Sequence, residues 1–266
     1  MDEMRIIAPP IEEQPGSKPK FGRLKLVDVK NLQHPISEKL RFAPRPPSTK
    51  RRKYRAYWQG DQGYTSECTI FTLLHWFDMG PISHPRSRGK FKGFPKPLYS
   101  TRELYCRAQT LDPWPGGCRT GGGNDYDGTS SLAAMKLGQE LGIIQDYSWE
   151  YENLENVIRA LLCVGPVMIG VNWYEGMELP SPGGRVKYNE HTAVMTATGN
   201  IIGGHQTLID EIDLNRKGRE FGIFNSWGPE WGVNGRAYVS LETMEFLLKN
   251  EGDFCLATEV DERRKV

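Results

Sequence analysis

The spacing of apolar residues along this chain changes near Gly165. Before it, Cys68 is followed by Ile70, Phe71, Leu73, Leu74 and Phe77, the i, i+3, i+4, i+7 intervals of a helix buried on one side, with Gly80 and Pro81 as its stop. SSLAAMKLGQEL at 130–141 predicts a second helix, capped by Thr129 or Ser130 and closed by Gly142. A third is predicted over 153–164, where Leu154, Val157, Ile158, Leu161 and Leu162 recur. Beyond Gly165 the period falls to two: PVMIGVNW, TAVMTA, HQTLIDEIDL, REFGIFNSW and GRAYVSL alternate like strands, parted by turn residues such as NRKG at 215–218. Helices first and strands second predict an α+β protein of two lobes with a cleft between them.

The first 57 residues do not fit either pattern. They hold 8 of the 18 prolines, and only GRLKLVDVK at 22–30 alternates like a strand. They also carry 14 Lys/Arg against 6 Asp/Glu, leaving 20 against 27 for residues 58–266. We therefore expect a basic arm over 1–57, acting as a linker or a strap across an acidic body, and a single domain over 58–266. The KRRK run at 50–53 reads as a solvated stretch of that arm. A net charge of +1 over 266 residues exerts no overall pull toward nucleic acid or membrane, so neither is expected as a partner. The opening MDEMRIIAPPIEEQPG lacks the positive start and continuous apolar core of a secretory signal, which makes an intracellular location the expectation. Five cysteines, an odd number without a CxxC pair, suggest neither a zinc site nor a disulfide framework; Cys106, Cys118, Cys163 and Cys255 are expected to be packed thiols.

Cys68 differs from those four because it opens a helix. A thiol attacks only as thiolate, and the unpaired N–H groups of a helix N-terminus favour that charge. A base must take the proton and later return it to a leaving group, a task suited to histidine. Of the five histidines, His34 lies in the arm, and His75 and His84 lie in or just after the helix that Cys68 begins. His191 and His205 remain, and His205 is the better placed: two glycines precede it and an apolar alternating strand follows. An imidazole in this role needs a third group to fix its tautomer. Asn225 in FNSWGPEWGVNG ends the strand expected to pair with the one His205 begins, and Trp227 and Trp231 are suited to shield that contact from water.

These residues resemble the papain-like (C1) cysteine peptidases. DQGYTSECTIF keeps the family's frame of a glutamine six positions before the cysteine at a helix head, and NSWGPEWGVNG matches all seven fixed positions of its NSWG motif. His205 and Asn225 follow Cys68 by 137 and 157 residues, near the family's usual 130–150. The likeness covers about residues 58–250. It implies a helical N-terminal lobe, an antiparallel β C-terminal lobe and peptide-bond hydrolysis through an acyl-enzyme. Peptide or protein would be the substrate, and no cofactor or metal is called for. Carried over, Cys68 is the nucleophile, His205 the acid/base, Asn225 the orienting group, and Gln62 an oxyanion donor with the Cys68 amide. Asp127, Gly128, Gly170 and Trp227 fall at positions expected to meet substrate, Gly170 as the wall of a roomy specificity pocket.

Three departures bear on activity. Thr65 stands where the family has a disulfide cysteine, which suits a reducing compartment. Glu67 and Thr69 flank the nucleophile where serine and tryptophan are common, and Glu67 places a charge that opposes the thiolate. No propeptide of the family's helical type is visible in the arm, so control by a cleaved prodomain is not expected. The alternative to a peptidase is a catalytically silent scaffold of the same fold, used for binding or structure.

Overall fold

A computed structural model describes residues 5–6, 21–82, 86–87, 90–91, 100–120, 126–179 and 188–259; His84 and most of the first twenty residues lie outside these. Among the described residues, eleven strands and six α-helices form an α+β fold. Strand β1 (Arg5–Ile6) pairs with β2 (Leu26–Val27), helix α1 (Ile36–Leu40) follows, and β3 (Arg51–Lys53) lies along β8 (Ile201–Asp213). Helix α2 (Cys68–Met79) precedes a short hairpin of β4 (Arg86–Ser87) and β5 (Lys90–Phe91). Helices α3 (Thr101–Gln109) and α4 (Ser131–Glu140) come next, then β6 (Ile144–Glu150), α5 (Leu154–Cys163) and β7 (Val167–Tyr174). After β8 come β9 (Phe221–Phe224), β10 (Arg236–Val239), α6 (Leu241–Lys249) and β11 (Asp253–Glu259). The large sheet runs β10-β9-β8-β7-β11-β6, with β3 on β8, and every pairing in it is antiparallel.

Both faces of this sheet are covered, as its residue alternation requires. Val167, Ile169 and Val171 of β7 pack with Phe254 and Leu256 of β11 against α1, α5 and α6. Met168, Leu208, Phe224, Cys255 and Ala257 point the other way, into a cluster built by α2, α3 and α4. Burial of nearly every residue explains why β11 (DFCLATE) escaped the period-two reading, whereas β6 (IQDYSWE) runs from an exposed Gln145 to three successive buried residues and does not alternate. The cap signals of α3 and α6 were in the sequence: Ser100 and Glu103 form a reciprocal capping box, and Ser240 caps α6.

The three predicted helices stand within one residue of their expected ends, but α2 is buried on every side instead of one. Three of its buried polar side chains find partners inside the fold: Thr72 Oγ1 donates to Gln206 O (2.9 Å), His75 Nε2 accepts from the Gly60 amide (3.0 Å), and Asp78 accepts from the Tyr57 and Trp58 amides. The segment 192–197 is not a strand; it follows β10 through a single bridge at Val194 before Thr196 turns back to Gly176. GRLKLVDVK is likewise mostly irregular, with only Leu26–Val27 in a strand. Among the described residues no helix is long and apolar enough to cross a membrane.

The structure also departs from the expectation that all four remaining cysteines are separate thiols. Cys106 and Cys118 form a disulfide with Cα atoms 5.2 Å apart. The return of the chain onto α3 brings them together, held by the Cys118 amide on Gln109 Oε1 (3.1 Å), a closure across twelve residues that no sequence spacing announces. Such a bond persists in oxidising surroundings, which counts against the reducing compartment suggested by Thr65.

Candidate active site

Cys68 heads α2, and the Thr72 hydroxyl on Gln206 O ties that helix to β8 next to His205. The backbone amides of Gln206 and Thr69 are directed at the Cys68 sulfur. His205 sits inside β8, opposite Val171, and not at the strand's start, because pairing with β7 extends β8 back to Ile201. Its ring packs edge-on to Trp173 (4.9 Å between centroids) and lies under Trp227 (4.8 Å), which Trp231 backs in turn (5.8 Å).

His205 Nε2 lies 2.7 Å from Asn225 Oδ1, and both residues are fully buried. The register of β8 on β9 brings the two together across the hairpin. The Ser226 amide donates to the same Asn225 oxygen (2.8 Å), so that atom is an acceptor and the neutral imidazole must carry its hydrogen on Nε2. Nδ1 is thereby left as the unprotonated nitrogen, buried and without a hydrogen-bond partner among the described residues. Ser226 also positions Gln62: its hydroxyl donates to Gln62 Oε1 (2.6 Å), its carbonyl accepts the Gln62 amide (2.8 Å), and Gln62 Nε2 donates to Thr65 O (2.5 Å). Sequence reasoning had not singled out Ser226, although it stands inside the NSW motif.

The other histidines are elsewhere. His75 is enclosed by Trp58, Phe71 and Phe224, His34 is exposed, and exposed His191 contacts Arg219.

The arm itself occupies the site. The Gly22 and Arg23 amides both donate to Gly204 O (3.1 and 2.9 Å), Gly22 O accepts from the Thr129 amide (2.8 Å), and the Leu24 amide donates to Thr129 O (2.9 Å). The Gly22 amide is also directed at the Cys68 sulfur. Phe21 packs edge-on to His205 (5.9 Å) and Trp227 (5.8 Å). Backbone passes so close here that a Cβ on Gly22 would lie 2.0 Å from Ser66 O, and one on Gly204 2.2 Å from Arg23 O. This is what the glycine before His205 accommodates.

Of the positions expected to meet substrate, Trp227 touches the arm. A Cβ on Gly128 would lie 2.6 Å from Gly22 O, whereas Asp127 is exposed and the paired backbone groups belong to Thr129. Beside Gly170 the space is filled: a Cβ there would come within 2.4 Å of Asp253 Oδ1, 2.7 Å of Ser131 Oγ and 2.9 Å of Arg23 Nε.

With the arm in place, burial governs the charges. It pushes the Cys68 thiol up to about 12, offset only in part by the Gln206, Gly22 and Thr69 amides. It pulls His205 down to about 4, against the contact with Asn225. The covered pair is therefore neutral, unlike the thiolate expected at a helix terminus. Glu67 is buried, its carboxyl raised by desolvation against the pull of Thr101 and of Arg102, 3.8 Å away.

This is the papain-like cysteine protease fold. Xylellain, a cysteine protease from Xylella fastidiosa, superposes with a TM-score of 0.62 at 17% identity over 94% of this chain and 100% of its own. ProCathepsin B S9 from Trypanosoma congolense gives 0.55 at 12% identity over 90% of this chain and 86% of its own. Digestive procathepsin L 3 of the Tenebrio molitor larval midgut gives 0.52 at 15%, covering 84% of this chain and 79% of its own. No protein-family model matches the chain, and no curated protein matches it significantly.

Proposed function

We propose that the chain is a cysteine peptidase, built as two lobes about a cleft, whose own arm covers the cleft. The observation that carries this is the buried 2.7 Å contact of His205 Nε2 with Asn225 Oδ1, which leaves Nδ1 without a partner among the described residues, on the strand packed against the helix that Cys68 heads. In this reading a peptide replaces the arm. Nδ1 takes the Cys68 proton, the thiolate adds to the scissile carbonyl, and the oxyanion receives the Cys68 amide and the Gln62 side chain. The imidazolium protonates the leaving amine as the C–N bond breaks. Water, deprotonated by His205, then adds to the thioester and releases the acid and the free thiol. Asn225 holds the ring's tautomer throughout, and Trp227 and Trp173 keep that hydrogen bond dry. Asp127, Gly128, Gly170 and Trp227 line the path of the peptide. Of residues 1–57, the stretch Phe21–Leu24 serves as the cover of the cleft, α1 and β3 add to the core and the sheet, and residues 58–266 carry the groups of the peptidase domain.

A silent scaffold is favoured by one observation, the neutral, arm-covered thiol. The two are separated by treating the full-length chain, and an Arg23→Ala chain with a loosened arm, with an epoxysuccinyl peptide and with fluorogenic peptides. Stoichiometric labelling of Cys68 and hydrolysis that disappears in Cys68→Ser are expected. A Cys68 that labels in neither chain, with no hydrolysis, leaves the scaffold.

A further inference from the structure

The arm holds its place by more than backbone pairing. Arg23 is an arginine with a side chain only 1% exposed, and it enters the space that Gly170 leaves open. There Nη2 is paired with Asp253 Oδ1 and also donates to the Glu251 carbonyl (2.8 Å). Asp253 is itself 3% exposed, at the start of β11 directly across from Gly170 in the sheet. The Ser131 hydroxyl, which donates to Gln206 Oε1 (2.9 Å), closes the pocket on the α4 side. Lys25, the other cation nearby, stays at the rim with Glu251 (3.8 Å). Arg23 Nε has no hydrogen-bond partner among the described residues.

A carboxylate this deep is strongly unfavourable without a cation. An apolar side chain entering in place of Arg23 would bury Asp253 unpaired, whereas a guanidinium would restore both the charge and the contact to Glu251 O. The glycine at 170 matters equally, because any side chain there would overlap the Asp253 carboxylate and the guanidinium. We propose that the pocket formed by Gly170, Ser131 and Asp253 selects an arginine side chain of the substrate, the arm's Arg23 being its resident competitor. This rests on the cleft binding peptides, as proposed above, but not on their being cleaved. The occupant is defined by chemistry: a planar, multiply donating cation, with lysine second because its ammonium is more strongly hydrated.

The test measures occupancy instead of turnover. In full-length Arg23→Ala, the rate of Cys68 alkylation by iodoacetamide is followed by mass spectrometry in the presence of acetylated hexapeptides that differ only in an Arg or a Leu walked through each position. Alkylation without peptide is expected to be at least tenfold faster than in the unsubstituted chain. At one position the Arg peptide should half-protect Cys68 at a concentration at least tenfold below its Leu counterpart. Adding Asp253→Asn, with folding checked by its melting transition, should abolish that preference. An unchanged alkylation rate in Arg23→Ala, protection by no peptide, an equal or better Leu peptide at every position, or a preference that survives in folded Asp253→Asn each overturns the proposal. Should Asp253→Asn not fold, the Arg and Leu comparison in Arg23→Ala decides alone. Protection without cleavage would retain the pocket and remove the peptidase; cleavage without arginine preference would do the reverse.

Discussion

The hairpin that carries His205 and Asn225 and the arm segment Phe21–Leu24 meet at one site, yet they are held there differently. The hairpin is local: two paired strands separated by a turn bring a ring nitrogen and an amide oxygen to 2.7 Å. The arm segment has almost no regular structure and is held by contacts to Thr129, Gly204 and Asp253, which lie 105 or more residues away. On the proposed peptidase reading, the hairpin builds the chemistry into the fold and the arm decides whether it is exposed. On that reading the site is electrostatically silent while covered, because burial raises the thiol and lowers the imidazole.

The strongest way to break this contrast is through the thiol. With Cys68 pushed up to about 12 and an ordinary thiol near 8.5, the folded chain at pH 7 should react with iodoacetamide roughly a thousandfold more slowly than the urea-unfolded chain. Its rate should still be rising at pH 10. Comparable rates in the two states would mean that the arm does not cover the sulfur in solution.

On the hairpin side, Gln62→Ala made in the Arg23→Ala chain should lower kcat by about 10- to 1,000-fold, the range for one oxyanion donor, with KM little changed. A folded variant with unaltered kcat would take Gln62 out of the mechanism.

His205 offers a pH test. Its folded value of about 4 lies below the unfolded value, so the unfolded chain takes up a proton first as pH falls through about 6.5. Stability is then lost down to about pH 4, by about 3 kcal/mol for this residue. Asp253 and Asp210 are raised, mainly by burial, and act in the opposite direction. The measurement is therefore a difference: urea midpoints of the unsubstituted chain should fall more between pH 6.5 and 4 than those of His205→Gln. Parallel curves would show that His205 is not buried neutral.

The smallest expected effect sharpens the role of the arm. Phe21→Ala removes two edge-on aromatic contacts, each worth about 0.5 kcal/mol at the low end of such pairs, and should speed Cys68 alkylation about fivefold, short of the effect of Arg23→Ala. An effect larger than that of Arg23→Ala would make the aromatic contact, and not the buried ion pair, the main anchor.

The sequence by itself determined the helices that begin at Cys68, Ser131 and Leu154, the alternation of β7 and β8, and the placing of Gln62, Cys68, His205 and Asn225 in one frame. Each depends on period, capping or motif spacing, which are properties of neighbours along the chain. Only the tertiary structure decided that α2 is buried all round, that Cys106 reaches Cys118, and that Arg23 of a proline-rich, basic arm lies on Asp253. Nothing in GRLKLVDVK distinguishes a buried arginine from the solvated ones around it. A charge can be buried only where a distant carboxylate and a missing side chain, here Asp253 and Gly170, are folded into the same place.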